Sequence, residues 1–96
     1  MILGNIYQQE AFDKIKPLQV YKNSSFHVIL MKIKKDEVLK PHHAITDAFL
    51  TVVEGSIIFT LHDIGTTLKK GDMISFKAFE THSVKALEDA SFLLIK

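Results

Sequence analysis

The sequence predicts an all-β fold, an antiparallel barrel that is either closed or built from two sheets. Three observations carry this. Short segments rich in Val, Ile, Phe and Thr follow one another from residue 18 to residue 95. Turn-forming residues separate them: KNSS at 22–25, KKDE at 34–37, EG at 54–55, HDIG at 62–65 and KKGD at 69–72. No helical segment stands between them, which fits strands that pair antiparallel around one core.

Taken in order, the N-terminal segment 1–16 holds the best helix signal, YQQEAFDKI, where Ile6, Phe12 and Ile15 make a short apolar stripe before Pro17 stops it. Candidate strands follow at 18–22, 25–34, 47–54, 56–62, 66–69, 73–77, 81–86 and 90–95. No repeat or linker divides the chain, and 96 residues suit a single domain over 1–96. With 47% hydrophobic residues and a formal net charge of +1, the composition offers no electrostatic footprint for nucleic acid or an anionic membrane. The absence of cysteine excludes disulfides, thiolate metal sites and a cysteine nucleophile. No apolar run approaches the ~20 residues that cross a bilayer, and the N-terminus lacks a signal-peptide pattern, so a cytoplasmic protein is the expectation.

The stretch AFLTVVEGSIIFTL, residues 48–61, reads as a hairpin about a tight Glu54–Gly55 turn. Pairing outward from Val53 and Ser56 gives two faces. Ala48, Leu50, Val52, Ile57, Phe59 and Leu61 form a wholly apolar one, read as barrel interior. Asp47, Phe49, Thr51, Val53, Ile58, Thr60 and His62 form a mixed one, too apolar for bulk water and too polar for a core, which suits a subunit interface. A homodimer is therefore expected, with Ile2, Leu3 and Ile6 of the 1–16 segment adding to the contact. The same register pairs Asp47 with His62 across the outer face.

Histidines stand at 42 and 43, VVEG closes at Gly55, and LKKGDMISFKAFETH runs from Leu68 to His82. This order resembles the two motifs of the cupin family. The first is Gly, five residues, His-x-His, three or four residues, Glu, six residues, Gly; the second is Gly, five residues, Pro-x-Gly, two residues, His, three residues, Asn. The resemblance covers roughly residues 28 to 95 and implies the family's small jelly-roll barrel. Counting back from Gly55 puts the motif glutamate at Ala48. With three intervening residues the histidines fall at His42 and Ala44 and the leading glycine at Asp36; with four, at Pro41 and His43. The first register is preferred because Asp36 is a turn-forming residue where the family uses glycine. In the second motif Gly71 and His82 match, while Lys77, Phe79 and Ala86 replace Pro, Gly and Asn. Two of the family's four ligand positions, His42 and His82, are retained.

Strand parity puts His82, Val84 and Ala86 on one face, and an inward imidazole needs a hydrogen-bond partner. Because Pro41 makes the strand before them irregular, His42 and His43 are both candidates to turn inward and, with His82, restore a three-histidine site. The resemblance implies a barrel mouth lined by His42, His43 and His82 over a floor of Leu50, Val52, Phe59 and Met73. That mouth would bind a small molecule, with one divalent transition metal (Fe, Mn, Zn or Ni) as the implied cofactor. A second reading is a metal-dependent enzyme of the oxygenase or isomerase type. A third, a purely structural or interaction domain, stays open because ligand positions have become alanine. The interior face carries no carboxylate, so an enzyme would work with histidines or a metal-bound water.

Overall fold

The computed structural model describes residues 1–8 and 10–96, and among them there are nine β-strands and no helix. The strands are β1 (Ile15–Lys22), β2 (His27–Ile33), β3 (Val38–His42), β4 (Ala48–Glu54), β5 (Ser56–Leu61), β6 (Ile64–Lys69), β7 (Met73–Phe76), β8 (His82–Ala86) and β9 (Ala90–Ile95). They form a five-stranded sheet in the order β1-β2-β9-β4-β7 and a four-stranded sheet in the order β3-β8-β5-β6. Every pairing is antiparallel. The all-β expectation therefore holds in its two-sheet form, a sandwich of jelly-roll type. Alternate residues of both sheets meet in one core, whose most buried large side chains are Phe59, Phe92, Ile33, Leu50, Ile57 and Val52. Among the described residues no helix is long and apolar enough to cross a membrane.

Ala48, Leu50, Val52, Ile57 and Phe59 are all buried, as the apolar face required. The hairpin that suggested this face does not exist. Strands β4 and β5 lie in opposite sheets, and the chain crosses between them at Gly55, whose φ is +74°. A side chain there would run into the Asp89 carbonyl oxygen and meet Ala90 Cα at 2.9 Å, so only glycine fits the crossing. The tight hairpin comes one turn later. His62 and Asp63, with φ of +50° and +64°, join β5 to β6, as a two-residue turn with both central residues left-handed requires.

The mixed face is divided by the same crossing. Phe49 and Thr51 project from the outside of the five-stranded sheet, Ile58 and Thr60 from the outside of the other. Nor do Asp47 and His62 pair: Asp47 binds Lys77 and the Ala78 amide, and His62 binds Glu80.

The helix expected over 7–15 is absent; Gln9 within it lies outside the described residues, and the others are not helical. Ile15 and Pro17 belong instead to β1, pairing with Ile33 and Met31. As an edge strand, β1 tolerates a proline without an N–H. Residues of the N-terminal arm lie over the outer surface of β1 and β2, where Leu3, Ile6, Leu18, Val20 and Leu30 line a cleft of about 420 Å³. Lys32 Nζ donates to Gln8 O at 2.7 Å and Lys16 pairs with Glu10 at 3.1 Å, tying the arm down.

Candidate functional site

The site grows from an irregularity at the edge of the four-stranded sheet. Strand β3 pairs only with β8, and Pro41 interrupts the ladder, so the register shifts between Leu39 and His42. That shift sets His42 directly opposite His82. Their rings meet edge to face, with centroids 4.2 Å apart and planes at 60°. His82 is 5% exposed. Phe59 stacks on it at 5.8 Å, and Phe76 lies against it at 4.4 Å. Of the adjacent pair, His42 is therefore the histidine joined to His82. His43 is exposed, its ring 6.1 Å from that of Phe79.

Both paired imidazoles are oriented the same way. His82 Nδ1–H donates to Glu80 O at 3.0 Å, and His42 Nδ1–H donates to Lys40 O at 3.1 Å. A carbonyl can only accept, so each neutral ring keeps its proton on Nδ1 and leaves Nε2 with a lone pair. Backbone carbonyls commonly orient metal-binding histidines in this way. Among the described residues neither Nε2 has a hydrogen-bond partner and no buried side-chain nitrogen lacks one, so His82 Nε2 keeps some contact with solvent although the residue is buried. Burial pushes the His82 imidazole below its ordinary value of 6.5; the Glu80 carbonyl opposes this, and His42, Lys96 and His43 add to it. His82 is thus neutral at pH 7.

The turn 77–81, leading into β8, holds the Glu80 carbonyl in place. Glu80 Oε1 accepts the Lys77 amide and Oε2 meets His62 Nε2, both at 2.5 Å. These bonds, the Lys77 amide first, hold the Glu80 carboxyl below the usual carboxylate range. Asp47 Oδ1 accepts the Ala78 amide at 2.9 Å, and Phe79 N–H donates to Ala44 O at 2.8 Å, bracing this turn against the 43–47 loop. The Ala78 amide is likewise the main cause that lowers the Asp47 carboxyl.

The other expected residues divide. Leu50, Val52 and Phe59 are buried in the intersheet core. Met73 is 68% exposed and lies on the outer face of the five-stranded sheet, with Phe76 and Ile74 in the inward positions of β7. The floor residue is therefore Phe76, and the even-numbered phase of MISF was its signal. Among the described residues no three His, Asp or Glu side chains come together to hold a metal ion. Glu80 acts through its carbonyl, which no sequence motif marks.

The motif frame itself is visible in the backbone. The four glycine positions of the two motifs, Asp36, Gly55, Gly71 and Phe79, have φ of +68°, +74°, +90° and +68°. The conformation persists where the glycine has been replaced, at a cost of roughly 1–2 kcal/mol for a residue with a Cβ. The register that puts the first histidine at His42 is the one that puts its leading glycine at Asp36.

Among curated proteins none matches the chain by sequence. Similar solved structures include an RmlC-like cupin protein from Desulfovibrio desulfuricans, with 20% identity, 99% of this chain and 94% of that one covered, and a TM-score of 0.88. A cupin superfamily protein from Desulfitobacterium hafniense matches at 13% identity over 93% and 82%, TM-score 0.85. KdgF from Halomonas matches at 23% over 91% and 82%, TM-score 0.79. At such identities the likeness is one of fold. The cupin-domain family model matches residues 29–96, from the second strand to the end of the chain and including both histidine positions. Motif spacing, left-handed glycine positions and this match agree: the chain belongs to the cupin family.

Proposed function

We propose that this cupin binds a small molecule at the His42–His82 pair, with one divalent transition metal (Fe, Mn, Zn or Ni) as the group the two free Nε2 atoms would share. The observation that supports it most is the matched orientation of two facing imidazoles, each fixed at Nδ1 by a backbone carbonyl. The donor set fits a metal in part. Two imidazole nitrogens are suitable ligands, but Ala44 and Ala48, where the family places its remaining first-motif ligands, have no donor. When bound, such a metal would supply Lewis-acid polarisation of the small molecule.

The chain's own residues do the rest. His42 and His82 would bind at Nε2; with no metal on that atom, neutral His82 can take a proton there instead. Phe59 and Phe76 keep water from the inner side of its ring. A binding role is placed ahead of the oxygenase or isomerase reading because, among the described residues, His42 and His82 face each other with no third His, Asp or Glu grouped with them. Metal analysis of protein purified without an affinity tag tests the proposal. One equivalent of metal, lost in both His42→Ala and His82→Ala, supports it; metal content unchanged in either variant contradicts it.

The proposal extends to assembly. On the outside of the five-stranded sheet, Ile95 neighbours Phe49, Leu93 neighbours Thr51, and Thr51 neighbours the exposed Met73. A second copy of the chain, seated on this face through a two-fold contact, would cover Met73 and the exposed Ile2 of the N-terminal arm.

A further inference from the structure

The unpaired edge of a sheet is a row of backbone donors and acceptors ready to take another strand, and three of the four edges described are blunted. Strand β1 carries Pro17 and a register shift between Gln19 and Tyr21. Strand β3 carries Pro41 and the shift before His42. Strand β7 is only four residues long. Strand β6, IGTTLK, is the exception. It runs six residues without proline, in unbroken register with β5, and all of it except Leu68 is exposed. The phase of the ladder tells which backbone groups are free. The two-residue turn makes Leu61–Ile64 a hydrogen-bonded pair, so Ile64, Thr66 and Leu68 bond to β5 while Gly65, Thr67 and Lys69 face outward. Lys69 agrees with this phase: its N–H donates to Asp72 Oδ2 and its carbonyl accepts the Asp72 N–H, both at 2.8 Å. Among the described residues, the outward N–H and C=O of Gly65 and Thr67 have no such partner.

We infer that β6 is a docking edge for β6 of a second copy of this chain, paired antiparallel about a two-fold axis at Thr66. The contact joins two four-stranded sheets edge to edge, and it is separate from the binding role and the face contact proposed above. A two-fold axis normal to the sheet keeps both cores on one side, so inward residues must meet inward ones. Within β6 that leaves registers centred on Thr66 or on Thr67. Centred on Thr66, Ile64, which is 70% exposed, lies beside Leu68 of the second copy, and Gly65 exchanges both backbone bonds with Thr67. The same register sets Lys69 opposite Asp63 at both ends. Among the described residues neither Asp63 nor Lys69 has an ion pair within its own chain. Centred on Thr67, Ile64 would face Lys70 and Lys69 would face Gly65, so both the apolar and the charged match are lost. The edge is thus complementary to itself in one register, which is what an isologous contact requires. Two such short strands bury far less than a standard interface, so the pairing belongs at a dissociation constant on the order of hundreds of micromolar.

The test uses Met73→Glu protein, so that the face contact proposed above does not contribute. Its mass by sedimentation equilibrium is expected to approach a doubling between ~10 µM and ~1 mM. Amide exchange at Gly65 and Thr67 should slow over the same range, while that at Thr66 and Leu68, already bonded to β5, should not change. Thr67→Pro removes an outward N–H that β5 does not use and should abolish the rise in mass with the β5–β6 ladder intact. Thr66→Cys is a second check that needs no proline in the strand. The chain has no cysteine of its own, and in the inferred register the two introduced side chains meet across the axis at a closely spaced, non-hydrogen-bonded pair. Oxidation at ~1 mM is expected to cross-link Thr66→Cys at least about tenfold faster than Thr67→Cys, whose two copies lie out of register. The inference is overturned by a mass that does not rise, by a rise that survives Thr67→Pro, by exchange at Gly65 and Thr67 that ignores concentration, or by faster cross-linking at position 67. Protection of those amides by an unrelated extended peptide, without a rise in mass, would overturn it too and assign the edge to a different partner. A wild type that is monomeric at micromolar concentration but doubles in mass at ~1 mM supports the edge contact and counts against the face contact alone.

Discussion

At His82 burial, tautomer and charge are linked, and the linkage has a sign. Its folded-state value lies below the ordinary 6.5, so below about pH 6.5 the unfolded chain binds the proton more readily than the folded one. Stability is full above that pH and falls as the pH drops toward the folded value, by at most about 1.4 kcal/mol per pH unit for one proton. Glu80 and Asp47, lowered from ordinary values of 4.5 and 3.8, add a second loss at more acid pH, as they protonate. The urea midpoint should therefore decline between pH 7 and 5 in the wild type and stay nearly level in His82→Gln; parallel curves would contradict this. Gly55 gives a second prediction at this scale. Gly55→Ala drives a Cβ onto the Asp89 carbonyl and should cost at least about 2 kcal/mol, a fall in Tm of roughly 8 °C or more. A Tm within two or three degrees of wild type would refute the close approach. Both residues were legible in the sequence, His82 by parity and motif, Gly55 by motif. Met73 was misplaced because a four-residue strand leaves its phase to be set by the core, and Phe76 is the side chain that fills it.

Among the elements, the turn 77–81 decides how well the site is held. Its bonds to Glu80 and Asp47 fix the carbonyl that orients His82. Glu80→Ala removes the acceptor for the Lys77 amide and the partner of His62. Amide exchange at Lys77 and Ala78 should become faster and metal affinity at the histidines weaker, whereas Glu80→Gln should retain part of both. Unchanged exchange in Glu80→Ala would show that the turn is held by Asp47 and Ala44 alone. Eight of the nine strands could be read as short β-rich segments between turns, with boundaries displaced by at most three residues. Strand β3 could not, because Lys40-Pro41 reads as a break and only its edge position makes the proline acceptable. The Glu54–Gly55 turn was misread for a related reason. A left-handed glycine between two apolar strands serves a tight hairpin or a crossing to the facing sheet, and the choice rests on long-range pairing of β4 with β9 and of β5 with β8.

For the whole molecule, pairing β3 with β8 brings together two histidines that lie far apart in sequence, while the outer face of the five-stranded sheet is left apolar. The assembly proposal predicts that sedimentation at micromolar concentration gives about twice the 10.9 kDa chain mass, and that Met73→Glu, at an already exposed position, shifts the protein to monomer with little change in Tm. A wild-type monomer would refute it. The central claim, that the fold joins His42 and His82 into one site with both Nε2 atoms free, is tested most directly by long-range ¹H–¹⁵N correlation of the histidine rings at pH 7.5 during zinc titration. The account predicts Nδ1–H tautomers for both residues before metal, and Nε2 shifts of both that saturate together at one equivalent. Nε2–H tautomers, or zinc that moves only one of the two rings, would contradict it.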